Sequence, residues 1–537
     1  MKSISGSRVL TSNWFIIFCF YCAAYGFMLL NTSVFFDDYV TSGFHTGFNA
    51  LLNTYTELGF FLHWPAYLHG FFFGFGDPTG VFLERLVIFL AYLLSGLLLD
   101  ATLRNIAEIK ALERLFIVVL FAVLPVNAAR IALCNIHYAL SSLLFFAGLR
   151  FLAAFCNTGS VFARITALVL FFISFSTSSL LMFYLIGILY LVYAKWESVK
   201  TRPWVSALKH MDLLALPLIF WFIKGKLFPA SGVYAGYNTI TLAGLFSAPL
   251  FSLSAIGSVS ELLNRVLVSS GFFSVLAALL LAAVYTKYRV DGTPQSDPGA
   301  HSTRLLMAGL IILMAGIFPY AAVFKTPGPG WDSRHGLLLP LGAAFVLVYG
   351  VKELFRVLGV AWSPVRVCFV YFLAALAFTA ADAGAFYRFL QQDYKNQSLV
   401  ANFKDSAIVR DHTTFIFQDE TKDYNGMPEA YRAYEYSGLF MLAFGDQKRI
   451  GYWNGNYENE FGEFKELGLF GRPAETYKLK DYIPVLPQYK IVIVKGSYPL
   501  NDIALLRLTM RRFIQPERVR QNIRDILRLE YAALPGK

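Results

Sequence analysis

Apolar residues recur in runs of about 20 positions through the first 386 residues, the length an α-helix needs to cross the hydrocarbon layer. The first run, 14–30, follows Lys2 and Arg8, is longer than the apolar stretch of a secretory signal, and meets no clear small-residue cleavage site, which predicts a retained span. Further runs at 82–100, 114–133, 137–156, 165–177, 179–194, 211–228, 265–286, 305–324, 336–351 and 366–386 raise the expectation to about eleven spans. The polar break Ser174, Ser176, Thr177, Ser178, Ser179 reads either as a turn between two spans or as a polar stripe on one long helix. Between the first two runs, residues from about 38 to 76 mix His45, Asn49, Asn53, Glu57, His63 and His69 with aromatics, the pattern of amphipathic helices lying on a membrane face. Beyond 386 the pattern changes. Thr414 to Gln418 and Lys490 to Lys495 read as strands, and 505–534 as Arg-rich helix. The expected architecture is an α-helical polytopic membrane protein, residues 1–386, followed by a soluble α+β domain, residues 387–537.

Composition supports this reading. Of the 537 residues 56% are hydrophobic and 15% charged, against about 25% charged in soluble domains. The formal net charge of +11 suggests nucleic-acid binding until the basic residues are placed. They gather at Lys2 and Arg8, at Arg104, Lys110 and Arg114, at Lys195 to Lys209, at Lys287 to Arg304 and at Lys352 to Arg366. With the N-terminus in the cytoplasm, these are the segments that stay inside, as topology determinants. An odd number of spans then puts the tail outside. All five cysteines lie in or beside apolar runs, so no disulfide framework is implied, and the Cys19, Cys22 spacing lacks the second pair a metal site needs.

Three groups carry candidate chemistry. Asp37 and Asp38 are adjacent acids just past the outer end of the first run, a costly placement near lipid unless they are protonated, hydrated or matched by a cation. They read as a catalytic pair, or, for Asp38, as the acid opening a helix. The outer loop Lys325 to His335 carries Pro and Gly, then Trp331, Arg334 and His335 at the mouth of the next run. Arg grips phosphate bidentately and His adds a hydrogen bond or proton; the plainer reading is a Trp and Arg anchor at the interface. Arg85, Arg130, Lys224, Lys226 and Arg265 also fall at outer span ends and form, with Lys325 and Arg334, a set able to meet one anionic group. Asn135, His137 and Tyr138 lie on that side too, and Gly451 to Tyr457, with Trp453, mixes rings and amides as sugar-stacking surfaces do. No Walker sequence, GxSxG elbow or HExxH pair occurs.

The acid pair Asp37-Asp38 after the first span, the amphipathic loop helices, the span count and the outer tail together resemble the GT-C superfamily of integral-membrane glycosyltransferases. That resemblance implies a polyprenyl-phosphate-linked sugar donor, transfer on the non-cytoplasmic face, and a glycan or glycolipid acceptor such as O-antigen, in a bacterial inner membrane with a periplasmic tail. Asp37 or Asp38 is then the expected general base for an inverting displacement. Arg334 and His335, with Lys325 and Arg130, are expected at the donor phosphate. His45, Glu57, His137, Trp331 and Trp453 are weaker candidates for sugar or acceptor. No obligatory metal is expected, although a divalent ion such as Mg could sit at Asp37 and Asp38. The other readings are a polysaccharide polymerase or ligase, which would place Arg and His in a larger late outer loop, and a transporter, which would favour mid-span charges and inverted repeats.

Overall fold

A computed structural model describes residues 13–41, 48–60, 63–236, 299–325, 330–358, 364–427, 430–454, 481–512 and 514–534, with isolated positions between them. The expected span 265–286, Arg265, His45 and the end of the ring-and-amide segment, Gly455 to Tyr457, lie outside the described residues. The helices used below are α1 (Asn13–Tyr25), α2 (Asp38–Thr41), α3 (Phe48–Glu57), α4 (Trp64–Phe73), α5 (Thr79–Leu103), α6 (Ala111–Val123), α7 (Ile136–Thr158), α8 (Val161–Ser174), α9 (Gly299–Ala321), α10 (Leu339–Val357), α11 (Pro364–Asp405), α12 (Ala433–Phe444), α13 (Asp502–Arg512) and α14 (Pro516–Arg524).

Among the described residues five helical stretches are long and apolar enough to cross a membrane: Asn13–Leu30, Thr79–Leu103, Leu133–Thr158, His301–Ala321 and Cys368–Asp405. Two bent pairs, Pro203–Lys209 with Met211–Leu227 and Gly330–Gly336 with Leu339–Val357, raise the number to seven if each counts as one span. The run 114–133 is not one helix. Pro125 disfavours the α conformation at Leu124, so α6 ends at Val123, and 124–135 continues through short turns at Ala128–Ile131 and Leu133–Asn135. The serine-rich break is a turn, with α8 stopping at Ser174 and the next helix starting at Ser179.

The bundle core is built from aromatic edges: Phe20 against Phe372 at 5.8 Å and Tyr21 against Phe89 at 4.8 Å join α1 to α11 and α5. Outward-facing Phe18, Leu90, Phe162, Trp221 and Phe222 stay exposed, as expected where the solvent is lipid. Charges buried at the ends expected to face the cytoplasm are paired. Asp100 accepts from Arg104 at 2.5 Å, Arg114 at 3.0 Å and the Trp14 indole at 3.1 Å, and Glu113 takes Lys352 and the Tyr349 hydroxyl.

The last helix does not stop at 386. α11 runs 42 residues, about 63 Å at 1.5 Å per residue, far beyond the hydrocarbon thickness. Phe389, Leu390, Tyr394, Leu399 and Phe403 are buried along its second half, a helical spacing that packs this half onto the tail. There β1 (Thr414–Asp419), β2 (Ile450–Trp453), β3 (Tyr489–Lys495) and β4 (Leu527–Ala533) form a sheet in the order β2-β1-β3-β4. β1 is parallel to β2 and to β3, while β4 closes the edge antiparallel to β3. The β1 to β2 crossover contains α12, and Phe403, Phe417 and Phe440 join α11, the sheet and α12.

Candidate active site at the helix ends beside the tail

The acid pair sits in a loop tied down from three sides. After α1 the chain turns through Gly26–Leu30 and becomes extended at Asn31. Asp393 of α11 accepts from the Thr32 and Ser33 amides, both at 2.9 Å, and from the Ser33 hydroxyl at 2.5 Å. Buried Arg85 of α5 donates to the carbonyls of Asn31 at 2.7 Å, Ile131 at 3.2 Å and Ser33. Phe36 adopts a positive φ of 54°, rare for a bulky residue. Its ring stacks on Trp331 at 5.0 Å, so the loop after α1 and the turn Gly330–Gly336 touch directly beside Asp37.

The two acids have different surroundings. Asp38 is fully buried. Its carboxylate accepts from the backbone amides of Phe35 at 3.1 Å, Leu133 at 2.9 Å and Cys134 at 2.8 Å. Burial pushes its carboxyl up, and those three amides pull it back. It therefore opens α2 and also ties the acid loop to the irregular segment that replaces the second half of the expected 114–133 span. Asp37 is partly buried. Burial raises its carboxyl too, opposed by the Arg334 guanidinium, a hydrogen bond from Tyr434 and the charge of Arg432, with Asp38 adding to the rise. A carboxylate held among cations yet costly to ionise is suited to taking a proton.

Arg334 lies over the Trp331 ring at 4.2 Å, donates to the Trp331 carbonyl at 2.8 Å and stands 3.6 Å from Asp332. Its turn is locked against 124–131. Ser333 Oγ accepts from Ala129 N at 2.8 Å, and a Cβ on Gly336 would meet the Val126 carbonyl oxygen at 2.3 Å. Lys325, brought close to Arg334, is pushed down to about 8 by burial and by that guanidinium, with Asp332 acting the other way. His335 is buried, 5.5 Å from the Tyr320 ring and 3.9 Å from Asp332. Asp37, Arg334 and Lys325 thus belong to one charged neighbourhood.

Among the described residues of the wider basic set, several have partners of their own. Arg85 is spent on loop carbonyls, and Lys224 donates to Ser178 at 2.6 Å. Arg130 is caged between the rings of Tyr25 at 4.1 Å and Tyr92 at 4.6 Å and donates to the Asn127 carbonyl at 3.0 Å. Tyr25 in turn donates to Asp382 at 2.6 Å. His137 bonds the Cys134 carbonyl at 2.7 Å and packs on Tyr138 and Phe60. Glu57 lies at the end of α3 beside the turn at Gly232. Trp453 ends β2 with Lys422 over its ring at 4.6 Å. Among the described residues no three His, Cys, Asp or Glu side chains gather as a metal site.

Sequence reasoning did not find Asp393, Arg432 and Tyr434, because nothing in the tail announces that it folds back on the first loop. Nor did it find the buried chain Tyr55, His69, Glu84, in which the Tyr55 hydroxyl meets His69 Nε2 at 2.8 Å and His69 Nδ1 lies 2.5 Å from Glu84. A histidine on an amphipathic helix opposite an acid in the next span was the available signal. No family model matches the chain, and no curated protein does. Among solved structures the chain is similar to ArnT from Cupriavidus metallidurans, in a crystal structure bound to undecaprenyl phosphate, with a TM-score of 0.33 and 12% identity over 95% of each chain. A score that low carries no inference about fold or chemistry.

Proposed function

We propose that this chain is a membrane glycosyltransferase that moves a sugar from a polyprenyl-phosphate-linked donor to a glycan or glycolipid acceptor on the periplasmic face. The observation that carries the reading is the meeting of Asp37 with Arg334 where the apolar helices end, reached through the Phe36 and Trp331 stack. A lipid-linked donor presents its phosphate at this depth, where a guanidinium stabilises the charge that builds on the departing oxygen. A carboxylate whose pKa is raised takes the proton of the attacking hydroxyl. Asp37 is the base in this proposal, Arg334 the phosphate ligand, and Lys325 and His335 supporting donors. Asp38 holds the loop.

The resemblance to GT-C enzymes supports the same assignment. No obligatory metal is proposed, since a divalent ion shared by both acids would compete with the three backbone amides that already occupy both Asp38 oxygens. A polymerase, ligase or transporter is the alternative, favoured by no specific contact.

Mass spectrometry of envelope glycans from strains with and without the gene tests the reading, the expected result being loss of one hexose or pentose from a glycan. Binding of a polyprenyl phosphate to the purified protein tests the site. Arg334→Ala is expected to weaken it by about 1.5 to 3 kcal/mol, the range for a charge-assisted hydrogen bond, and unchanged affinity removes Arg334 from the donor site.

A further inference from the structure

Asp37 is reached from the far end of the chain. Tyr434, in the first turn of α12, hydrogen-bonds its carboxyl group. Arg432, one residue before that helix, donates through Nη1 to the Tyr434 hydroxyl at 3.4 Å. The pair is held by the helix start itself, since the Arg432 amide donates to Glu435 Oε2 at 2.8 Å. The helix is held in turn. A Cβ at Gly438 would lie 2.1 Å from the Tyr39 ring, so α12 presses on α2 as closely as backbone allows. Tyr431 donates to Asn396 Oδ1 at 2.5 Å, and Asn396 Nδ2 donates to the Tyr39 hydroxyl at 3.2 Å. A small crevice lined by Phe36, Gln392, Tyr431, Arg432 and Glu435 opens beside this contact.

We propose that Tyr434 is the positioning residue for Asp37, with Arg432 polarising its hydroxyl, so that the C-terminal tail supplies part of the proton-accepting machinery. The phenol keeps its proton and donates it into one lone pair of the carboxylate, which orients the group toward the acceptor hydroxyl. In the transfer step, which rests on the function proposed above, the acceptor O–H proton passes to Asp37 while its oxygen bonds the anomeric carbon. The bond from that carbon to the phosphate oxygen breaks, and its electron pair leaves with the phosphate beside Arg334. The groups facing Asp37 are Arg334 from the late outer turn, Arg432 and Tyr434 from the tail, Asp38 from its own loop and Cys134 from the 133–135 turn. Of these, Arg334, Tyr434 and Arg432 favour the ionised carboxylate and Asp38 opposes it. Removing the phenol oxygen therefore makes Asp37 harder to ionise.

Infrared titration of the purified full chain in lipid nanodiscs tests this without knowledge of the substrate, the Asp37 carboxylic-acid band being assigned by its loss in Asp37→Asn. Tyr434→Phe should raise the titration midpoint by about one pH unit, a tenfold change in ionisation constant, and Arg432→Gln should move it the same way. A midpoint unchanged in both variants overturns the proposal, since a merely structural Tyr434 would not shift it. In membranes that show sugar transfer, the acidic limb of the rate profile should move upward with the midpoint. A shifted midpoint in a protein with no transfer activity would refute the glycosyltransferase reading and leave the positioning of Asp37 standing.

Discussion

Asp37 and Asp38 are neighbours in sequence and opposites in cost. The charge of Asp38 faces three amide donors, and an amide side chain there would turn its NH2 toward at least one of them. Asp38→Asn is therefore expected to destabilise the folded chain by about 1 to 3 kcal/mol, the penalty of leaving buried donors unmade, measured as a lower melting temperature in detergent. Asp37→Asn should behave in the opposite way. Burial raises the folded-state pKa of both acids, so for each the contribution of the ionising group is complete below the unfolded pKa and is lost as pH rises through the folded one; what sets Asp38 apart is the three backbone amides its oxygens satisfy. At neutral pH the neutral replacement of Asp37 is expected to melt no lower than the wild type, while the proposed sugar transfer should fall by about 10²- to 10⁴-fold. Equal melting of the two variants would contradict this division. That two acids follow directly on the first span was legible from the residues alone. Which one carries the loop was not, because the deciding amides belong to Leu133 and Cys134, about 95 positions away and in backbone that the apolar run disguised.

The elements most readily foreseen are those where an apolar run has clean ends. α5 and α7 extend the expected 82–100 and 137–156 by a few residues, and α7 stops where Gly159 takes a φ of 70°. The misreadings have local causes. A lone Pro at 125 splits a run whose hydropathy alone looks continuous, and polar positions after 386 keep helical spacing, so α11 carries on where composition suggests a boundary. Contact between elements is harder still to foresee, as α12 against α2 shows. Gly438→Ala forces a methyl group into the Tyr39 ring and should cost about 1 to 3 kcal/mol from overpacking. If the acid loop moves with it, transfer activity should fall further than thermal stability, which parallel melting and activity measurements on one preparation would reveal.

At the scale of the whole chain, the tail is bolted at several points to the end of the helices that carries the acid loop. Lys395 of α11, itself buried, reaches Asp419 at 2.6 Å and Asn425 at 2.7 Å. Arg512 of α13 bonds Thr32 and the Leu30 carbonyl and stands 3.7 Å from Asp393. Arg512→Ala is expected to loosen this seam, seen as faster limited proteolysis within 414–534 with the apolar helices left intact. Reporter fusions at Asp291 and at Lys537 should report opposite sides of the membrane, and a same-side result would break the proposed topology.

The unbroken run of α11 from lipid into the tail has one more consequence. A helix turns about 100° with each residue, so the rod behaves as a threaded shaft in which length and rotation are coupled. One alanine inserted after Ala385 would swing Asp393, Lys395 and everything beyond them about a quarter turn away from their partners. Seven would bring the faces back into phase, yet lift the sheet by about 10 Å and carry Tyr434 out of reach of Asp37. Natural changes of length in this stretch are therefore barred in both coordinates at once, and a flexible linker could not replace it.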